Sequence, residues 1–537
     1  MRRLDTSAPR PAPVRPSGGA LRSAANNTNG PAKWVATLLL ALLPLASLTP
    51  KLAAQPGGTP IQILRIGVVH PVSGPAIEDA LIVIQGDRIL QIRPAGGRVP
   101  QGTLSFPEAH AYPGFVDLHS SAFADGNLLA DRNVDAAAEI LPGLDPFDTA
   151  SQDLVRHGVT TAYVHNRSQS AWRGQGAVIR PGTDGFDELG GDQPMVLHYR
   201  IDTSGAHPLQ RLQQLEGLGN EFEQLEKYEE SLEKFEEEKE KYEEELAKYL
   251  SYHRKKNGIP EPEEEPEEPT EETEEEGESE GAEGEGANEE ASGSGEETTE
   301  EEPPAPRRRR GRNGGQGRQG GGEQESSEEG SEEGGDGDDA PKKPKYPREP
   351  KRDRAKEALI KLRDGEARWF VEARHPDDIR RATEIISEQE LGDSVLEAGD
   401  AAAACIDDIA SYFRGVVVTQ VAPREKSRSV PESAAGVSIP VLCEQTGVPV
   451  AIASGSVSRA RHLRTIAAEA IGLGLSEHTA LRAITLTPAE FLGIEDRVGS
   501  LEAGKVADMT LFSGPIFDPT SRPVAVFRSG TRIPLDQ

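Results

Sequence analysis

Apolar residues along this chain fall into short strand-like runs at both ends, with a longer alternating region between them. Ile61–Gly67 and Ala80–Ile84 are rich in β-branched residues, and Gly86–Asp87 reads as a hairpin turn before Arg88–Ile92. The far end repeats the pattern: Asp508–Phe512, Pro523–Ser529 and Thr531–Ile533 are brief strands set apart by Gly, Pro and Asp. Because chain termini often lie close together, the two sets are expected to meet in one small sheet domain. Between them, helical spacing alternates with apolar runs. Phe147–His157 precedes Thr160–His165, Asp377–Gln389 precedes Ser394–Leu396, Ala401–Phe413 precedes Val416–Thr419, and Val448–Ala453 precedes Arg459–Leu473. That order predicts an α/β region built on a parallel sheet or barrel.

A long interruption divides this region. Positions 225, 228, 232, 235, 239, 242, 246 and 249 follow a 3,4 spacing, all Leu, Tyr or Phe except Lys239, in a background of Glu and Lys. The spacing predicts a helix over 221–256 with a narrow apolar seam, either resting on the α/β body or pairing with a second copy as a coiled-coil arm. From 257 to 355 the composition turns to Glu, Gly, Pro, Ser and Arg. With so few large apolar side chains the segment cannot offset its ordering entropy, and disorder is the expectation.

Composition sharpens this division. The chain has 537 residues, room for two or three domains, and a net charge of −32. Between Glu261 and Glu302 lie 22 glutamates and no basic residue, so the remainder carries only −10. An acidic chain of this kind, whose strongest basic run is Arg307–Arg310, argues against nucleic-acid binding. Two cysteines, Cys405 and Cys443, are too few for a disulfide framework or a thiolate metal site; they are two buried small side chains or a single disulfide. The N-terminus carries six basic residues against Asp5 up to Lys33, then an apolar run from Trp34 to Leu48, then small residues at Ala53 and Ala54. These are the parts of a secretory signal over 1–55, and the run is short of the about 20 residues a membrane span needs. The chain is expected to be exported to a periplasm or cell envelope, free or held to the membrane through that apolar segment.

The chemistry-bearing motifs begin just after the first strands. Gly114-Phe115-Val116-Asp117-Leu118-His119 follows Ala80–Ile84 and Asp87-Arg88-Ile89. Further on stand Gly158–Ala162, Gly174–Ile179, His375-Pro376-Asp377-Asp378-Ile379, Leu486–Gly493 and Gly499–Asp508. Together these resemble the amidohydrolase superfamily, especially its imidazolonepropionase-like members, over about 60–200 and 365–535. The resemblance implies a TIM-like (β/α) barrel from 114–220 and 356–499. It also implies a small β-sandwich formed by both chain ends, 56–113 and 500–537. Members hydrolyse carbon–nitrogen bonds other than peptide bonds, using one or two divalent metals at the C-terminal ends of the barrel strands.

Several of the metal positions implied by the resemblance have changed here. The first strand of such a barrel ends in His-x-His, because alternate residues share a face and can grip one ion. Here His119 is followed by Ser121. The next histidine of the family falls at about Glu372, the one after near Ala398, and the aspartate that binds metal and moves the proton falls at Gly455. His165 and His198 close other strands and are candidates, with Glu372, for a rebuilt site beside His119. Two readings follow. The first is a noncatalytic binding scaffold that has lost its metal. The second is a divergent metal-dependent hydrolase with a rebuilt or single-metal site, holding zinc and acting on a small linear or cyclic amide. Neither reading fixes whether the chain forms a homo-oligomer.

Overall fold

The computed structural model of the chain describes residues 60–124, 134–168, 170–188, 193–201, 203, 207–259, 341–423 and 436–535. The expected targeting segment, 1–55, and most of the expected disordered insert lie outside them. The strands fall into four runs along the chain. The first is β1 (Ile61–Val69), β2 (Ile77–Gln85), β3 (Arg88–Pro94) and β4 (Leu104–Pro113). Next come β5 (Phe115–Ser120), β6 (Val159–Val164), β7 (Trp172–Gln175), β8 (Ala177–Gly182) and β9 (Gly185–Glu188). After them stand β10 (Val196–Ile201), β11 (Arg368–Ala373), β12 (Ser394–Ala398), β13 (Gly415–Val418) and β14 (Val450–Ile452). The last are β15 (Met509–Phe512), β16 (Pro523–Arg528) and β17 (Thr531–Ile533).

Both ends of the described chain do meet in one sheet, of seven strands in the order β17-β16-β15-β4-β1-β2-β3. β15 runs antiparallel to β4 with Met509 opposite Pro113, and Leu64, Ile66, Ile82, Leu511 and Phe527 share its core. The hairpin between β2 and β3 turns at Gly86–Asp87, where Gly86 takes a φ of 62° that a side chain would resist.

The α/β body holds the other two sheets. One has the order β14-β13-β12-β11-β10-β7, parallel except for β7, and the other β5-β6-β8-β9. Most of their strands are buried along nearly their whole length because both faces are covered. Val116, Leu118, Tyr163, Val178, Val196, Phe370, Val395, Val417, Ala451 and Ala453 join one inner core. Their sequence neighbours, such as Leu197, Trp369, Val371, Leu396 and Val416, pack in a second core with the helices. The two edge strands β14 and β5 approach each other: past β14, Gly455 N–H donates to the His119 carbonyl at 2.9 Å and Ser454 N–H to Asp117 Oδ1 at 2.9 Å.

The predicted seam helix extends over Pro208–Asn257. Its first half buries Leu218, Phe222, Leu225 and Tyr228 beside the helices Arg354–Arg363 and Pro376–Glu388. Beyond Tyr228 the seam is half-buried, and residues 341–352 lie outside any helix or strand. Pro341, Pro344, Pro347 and Pro350 are half-buried while the residues between them are exposed, a three-residue repeat. Tyr346 meets Phe235 and Tyr242 edge-on, with ring centroids 6.4 and 5.1 Å away. Among the described residues no helix is long and apolar enough to cross a membrane. Cys405 and Cys443 are both buried and free.

Candidate metal centre

Period-two alternation decides which side chains reach the site. One step beyond the inner apolar layer, β6 leads to His165, β10 to His198, β11 to Glu372 and β12 to Glu397, while β5 supplies His119. All five are buried. His119, His165 and Glu397 come together: one ligand atom from each lies within 4.8 Å of the others. His119 Nδ1 is 2.8 Å from Glu397 Oε1 and 3.3 Å from His165 Nε2. The His165 and His119 rings meet at 88°, with centroids 4.4 Å apart.

Hydrogen bonds set the protonation of this group. His165 Nδ1 lies 3.0 Å from the carbonyl of Asn166, to which it can only donate, so Nε2 presents a lone pair to the centre. The two acceptors around His119 Nδ1 then require the proton on that atom. His119 Nε2 is left buried without a hydrogen-bond partner. Burial works to raise the Glu397 carboxyl. The charge and hydrogen bond of His119, with His165 and Arg173 beyond, outweigh it and hold the group below the ordinary carboxylate range. Two imidazoles and an ionised carboxylate, with a single proton bridging them, form a donor set that suits a zinc-type cation. Loading it would displace that proton.

The other expected residues take different places. The His198 ring stacks on His165 with centroids 3.9 Å apart and 6° between planes, and its Nε2 bonds the Tyr163 hydroxyl at 2.9 Å. It backs the centre rather than joining it. Glu372 is claimed by Arg173 Nη1 and Arg374 Nε, each at 2.5 Å. The Ser121 hydroxyl accepts from Val457 N–H at 3.2 Å. Gly455 occupies a left-handed turn with a φ of 73°. Asp117, fully buried, is pushed up by burial against bonds from the Ser454 hydroxyl and amide, and ties β5 to the end of β14. Glu397 is the residue the sequence reading passed over, since the family position fell one residue away, at Ala398. The strand's own alternation would have found it: Val395 belongs to the inner core and Leu396 to the outer one, so Glu397 faces inward.

Burial lowers the pKa of both His165 and His198 well below that of a free imidazole, with positive neighbours adding to the effect. The unfolded chain therefore takes up these protons first as pH falls. The stability they contribute is present above the ordinary value near 6.5 and drains away below it, by up to roughly 1.4 kcal/mol per pH unit for each histidine. Urea midpoints should fall steeply between pH 7 and 5 and less steeply in His198→Gln; parallel curves for the two proteins would contradict this.

Residues 413–533 match the Amidohydrolase family. The chain is also 32% identical over 91 residues to amidohydrolase tasK of Hapsidospora irregularis, a match that spans 17% of this chain and 9% of that one. An amidohydrolase from Thermotoga maritima MSB8 superposes with a TM-score of 0.57 at 17% identity, covering 88% of this chain and 99% of its own. A molinate hydrolase superposes at 0.42 and 11% identity, covering 89% and 95%. Residues 413–533 are thus similar to the Amidohydrolase family, and the chain has a mixed α/β fold like that of the Thermotoga maritima amidohydrolase.

Proposed function

We propose that the two sheets of the body close into a (β/α) barrel. Its mouth holds one divalent cation on His119, His165 and Glu397, and binds an amide-type ligand there with little hydrolytic turnover. The convergence of those three donors carries the cation reading. In the family such a cation polarises the scissile carbonyl and lowers the pKa of bound water. This chain's own residues do the rest. Asn166 fixes the His165 tautomer through its carbonyl, and His198 stacked behind it restrains the ring. The weak turnover follows from Gly455, which brings no carboxylate to the position the family uses to move the proton, while Glu372 is bound to arginines. The basic and apolar pattern of 1–55 supports export.

Titrating chelator-treated protein with zinc in a calorimeter should give one site per chain. His165→Ala should abolish it and Glu372→Gln should leave its stoichiometry intact. Absence of binding by the unaltered chain would sink the cation reading. Metal-dependent cleavage of an amide at rates usual for enzymes, about 10 per second, would sink the claim of weak turnover.

A further inference from the structure

A pair of histidines stands outside the centre described above, on the terminal seven-stranded sheet. His70 follows β1 and His110 lies in β4, and the two strands pair in parallel with Val68 opposite His110 and Val69 opposite Ala111. The register shifts between Ile66 and Val68, and His70 N–H then donates to the Ala111 carbonyl at 2.9 Å. Ala109 and Ala111 belong to the core of this sheet and Tyr112 to that of the α/β body. By alternation His110 shares the body-facing side with Tyr112. His70 reaches the same side, its ring stacked on that of Tyr112 with centroids 4.3 Å apart and 7° between planes. Its Nε2 lies 3.2 Å from His110 Nδ1.

The two rings aim one nitrogen each at a shared point. Their planes differ by 17° and their centroids are 5.4 Å apart. That separation exceeds the N···N distance by about twice the reach of a ring nitrogen from its own centre, so the nitrogens face each other head-on. One carries a proton and the other accepts it. Burial, with the neighbouring His110 adding to it, brings the His70 pKa down to about 4, and burial lowers that of His110 as well. Both imidazoles are therefore neutral at pH 7, the form that binds a metal. The support is fixed on one side. The Tyr112 hydroxyl accepts from Ile516 N–H at 3.1 Å, and its ring meets Phe512 edge-on with centroids 6.0 Å apart. Both histidines are only half-buried, so water can fill the other positions around an ion.

We propose that His70 and His110 form a second metal site, a two-imidazole clamp for a copper(II)-type cation. With metal–nitrogen bonds of about 2.0–2.1 Å, the present 3.2 Å separation corresponds to an N–metal–N angle of about 100°, reached by tilting the rings off the line that joins them. The bridging proton then passes, through water, to the other nitrogen of its own ring, so loading at neutral pH releases none. Copper(II) heads the affinity order for divalent ions at such donors, and imidazoles with waters suit it. The pair supplies no carboxylate. Zinc, lower in that order, is held more weakly here than by His119, His165 and Glu397, and a titration with dilute zinc registers that centre alone. The clamp lies on other strands and does not rest on the reading of the barrel mouth.

The test uses the full chain, stripped with chelator and titrated with copper(II), read by calorimetry and electron paramagnetic resonance. In a His165→Ala background, which disables the other centre, one copper per chain is expected, coupled to two nitrogens. Adding His110→Asn should abolish that uptake, and His70→Asn should do the same. The site is refuted if the His165→Ala chain binds no copper, if its copper couples to fewer than two nitrogens, or if His110→Asn leaves uptake unchanged. Where His165→Ala does not fold, the unaltered chain should take up one copper more than His110→Asn, and equal uptake refutes the site. Where the His70 and His110 variants do not fold, the nitrogen count in His165→Ala decides. If no variant folds, the unaltered chain decides by taking up two coppers rather than one. Failure here leaves the zinc titration above standing, and the converse holds.

Discussion

Gly455→Asp is expected to raise metal-dependent hydrolysis of an activated ester or anilide by about 10²–10⁴-fold, the usual contribution of a positioned general base. The backbone is already where such a group is needed. Gly455 N–H donates to the His119 carbonyl at 2.9 Å, which places this residue against the strand that supplies one of the three converging donors. Its φ of 73° lies in the left-handed region, where aspartate is tolerated better than most residues, at a cost of about 1–2 kcal/mol. A Cβ there would meet Thr419 Cβ at 3.3 Å and Cγ2 at 3.4 Å, a contact that a shift of a few tenths of an ångström relieves. Arg459 Nη1, 3.9 Å from that Cβ, would favour the ionised carboxylate. The variant and the unaltered chain should be compared with and without zinc, with the unfolding midpoint as control. A folded, zinc-loaded variant no faster than its parent would show that more than one missing carboxylate limits the reaction.

How far the sequence carried this site depends on register. Short strands with Gly-Asp turns were readable at both ends because each has a clear local signal, and the hairpin at Gly86–Asp87 falls where its residues put it. The alternation of helix and strand was readable for the same reason. What needed coordinates was the inward face. In β12 both neighbours of Glu397, Leu396 and Ala398, are buried on the outer side, so burial alone does not reveal direction, and a one-residue slip moves every side chain to the other face. A position placed near Ala398 by resemblance therefore missed Glu397, the candidate donor one residue away. A polar residue in step with an inward apolar one, as His198 with Val196 on β10, marks the same face without an alignment. The antiparallel strands β7, β8 and β9 and the proline repeat from Pro341 to Pro350 were missed for a different reason. β7 pairs with β10 some twenty residues on, β8 and β9 form a short hairpin whose place in the sheet is set by β6, and the proline repeat meets Phe235 and Tyr242 more than 90 residues away.

Asp508→Ala should cost about 3–5 kcal/mol of folding stability, the scale found when one partner of a buried ion pair is removed. Asp508 stands at the start of β15, where the seven-stranded sheet meets the α/β body, and only 5% of it is exposed. Arg180 of β8, 6% exposed, donates from Nη2 to both its oxygens at 2.5 and 2.6 Å and from Nη1 to the Ser529 hydroxyl at 2.6 Å. Ser529 N–H adds a bond to Asp508 Oδ1 at 2.8 Å, and Gly114 N–H bonds the Asp508 carbonyl at 3.0 Å. The carboxylate thus joins β8 to the turn after β16, while the backbone carbonyl of the same residue holds the junction between β4 and β5, and the alanine variant leaves a guanidinium buried with no counter-charge. The cost is therefore a desolvation penalty and not the loss of an attraction. That distinction predicts a second result. Replacing both partners, Arg180→Met with Asp508→Leu, should recover most of the loss, because no charge then remains buried, and a double-mutant cycle in urea should show the coupling. A loss of under about 1 kcal/mol in Asp508→Ala, within the range of exposed pairs, would mean that water reaches Arg180 and that this junction is held by apolar packing instead.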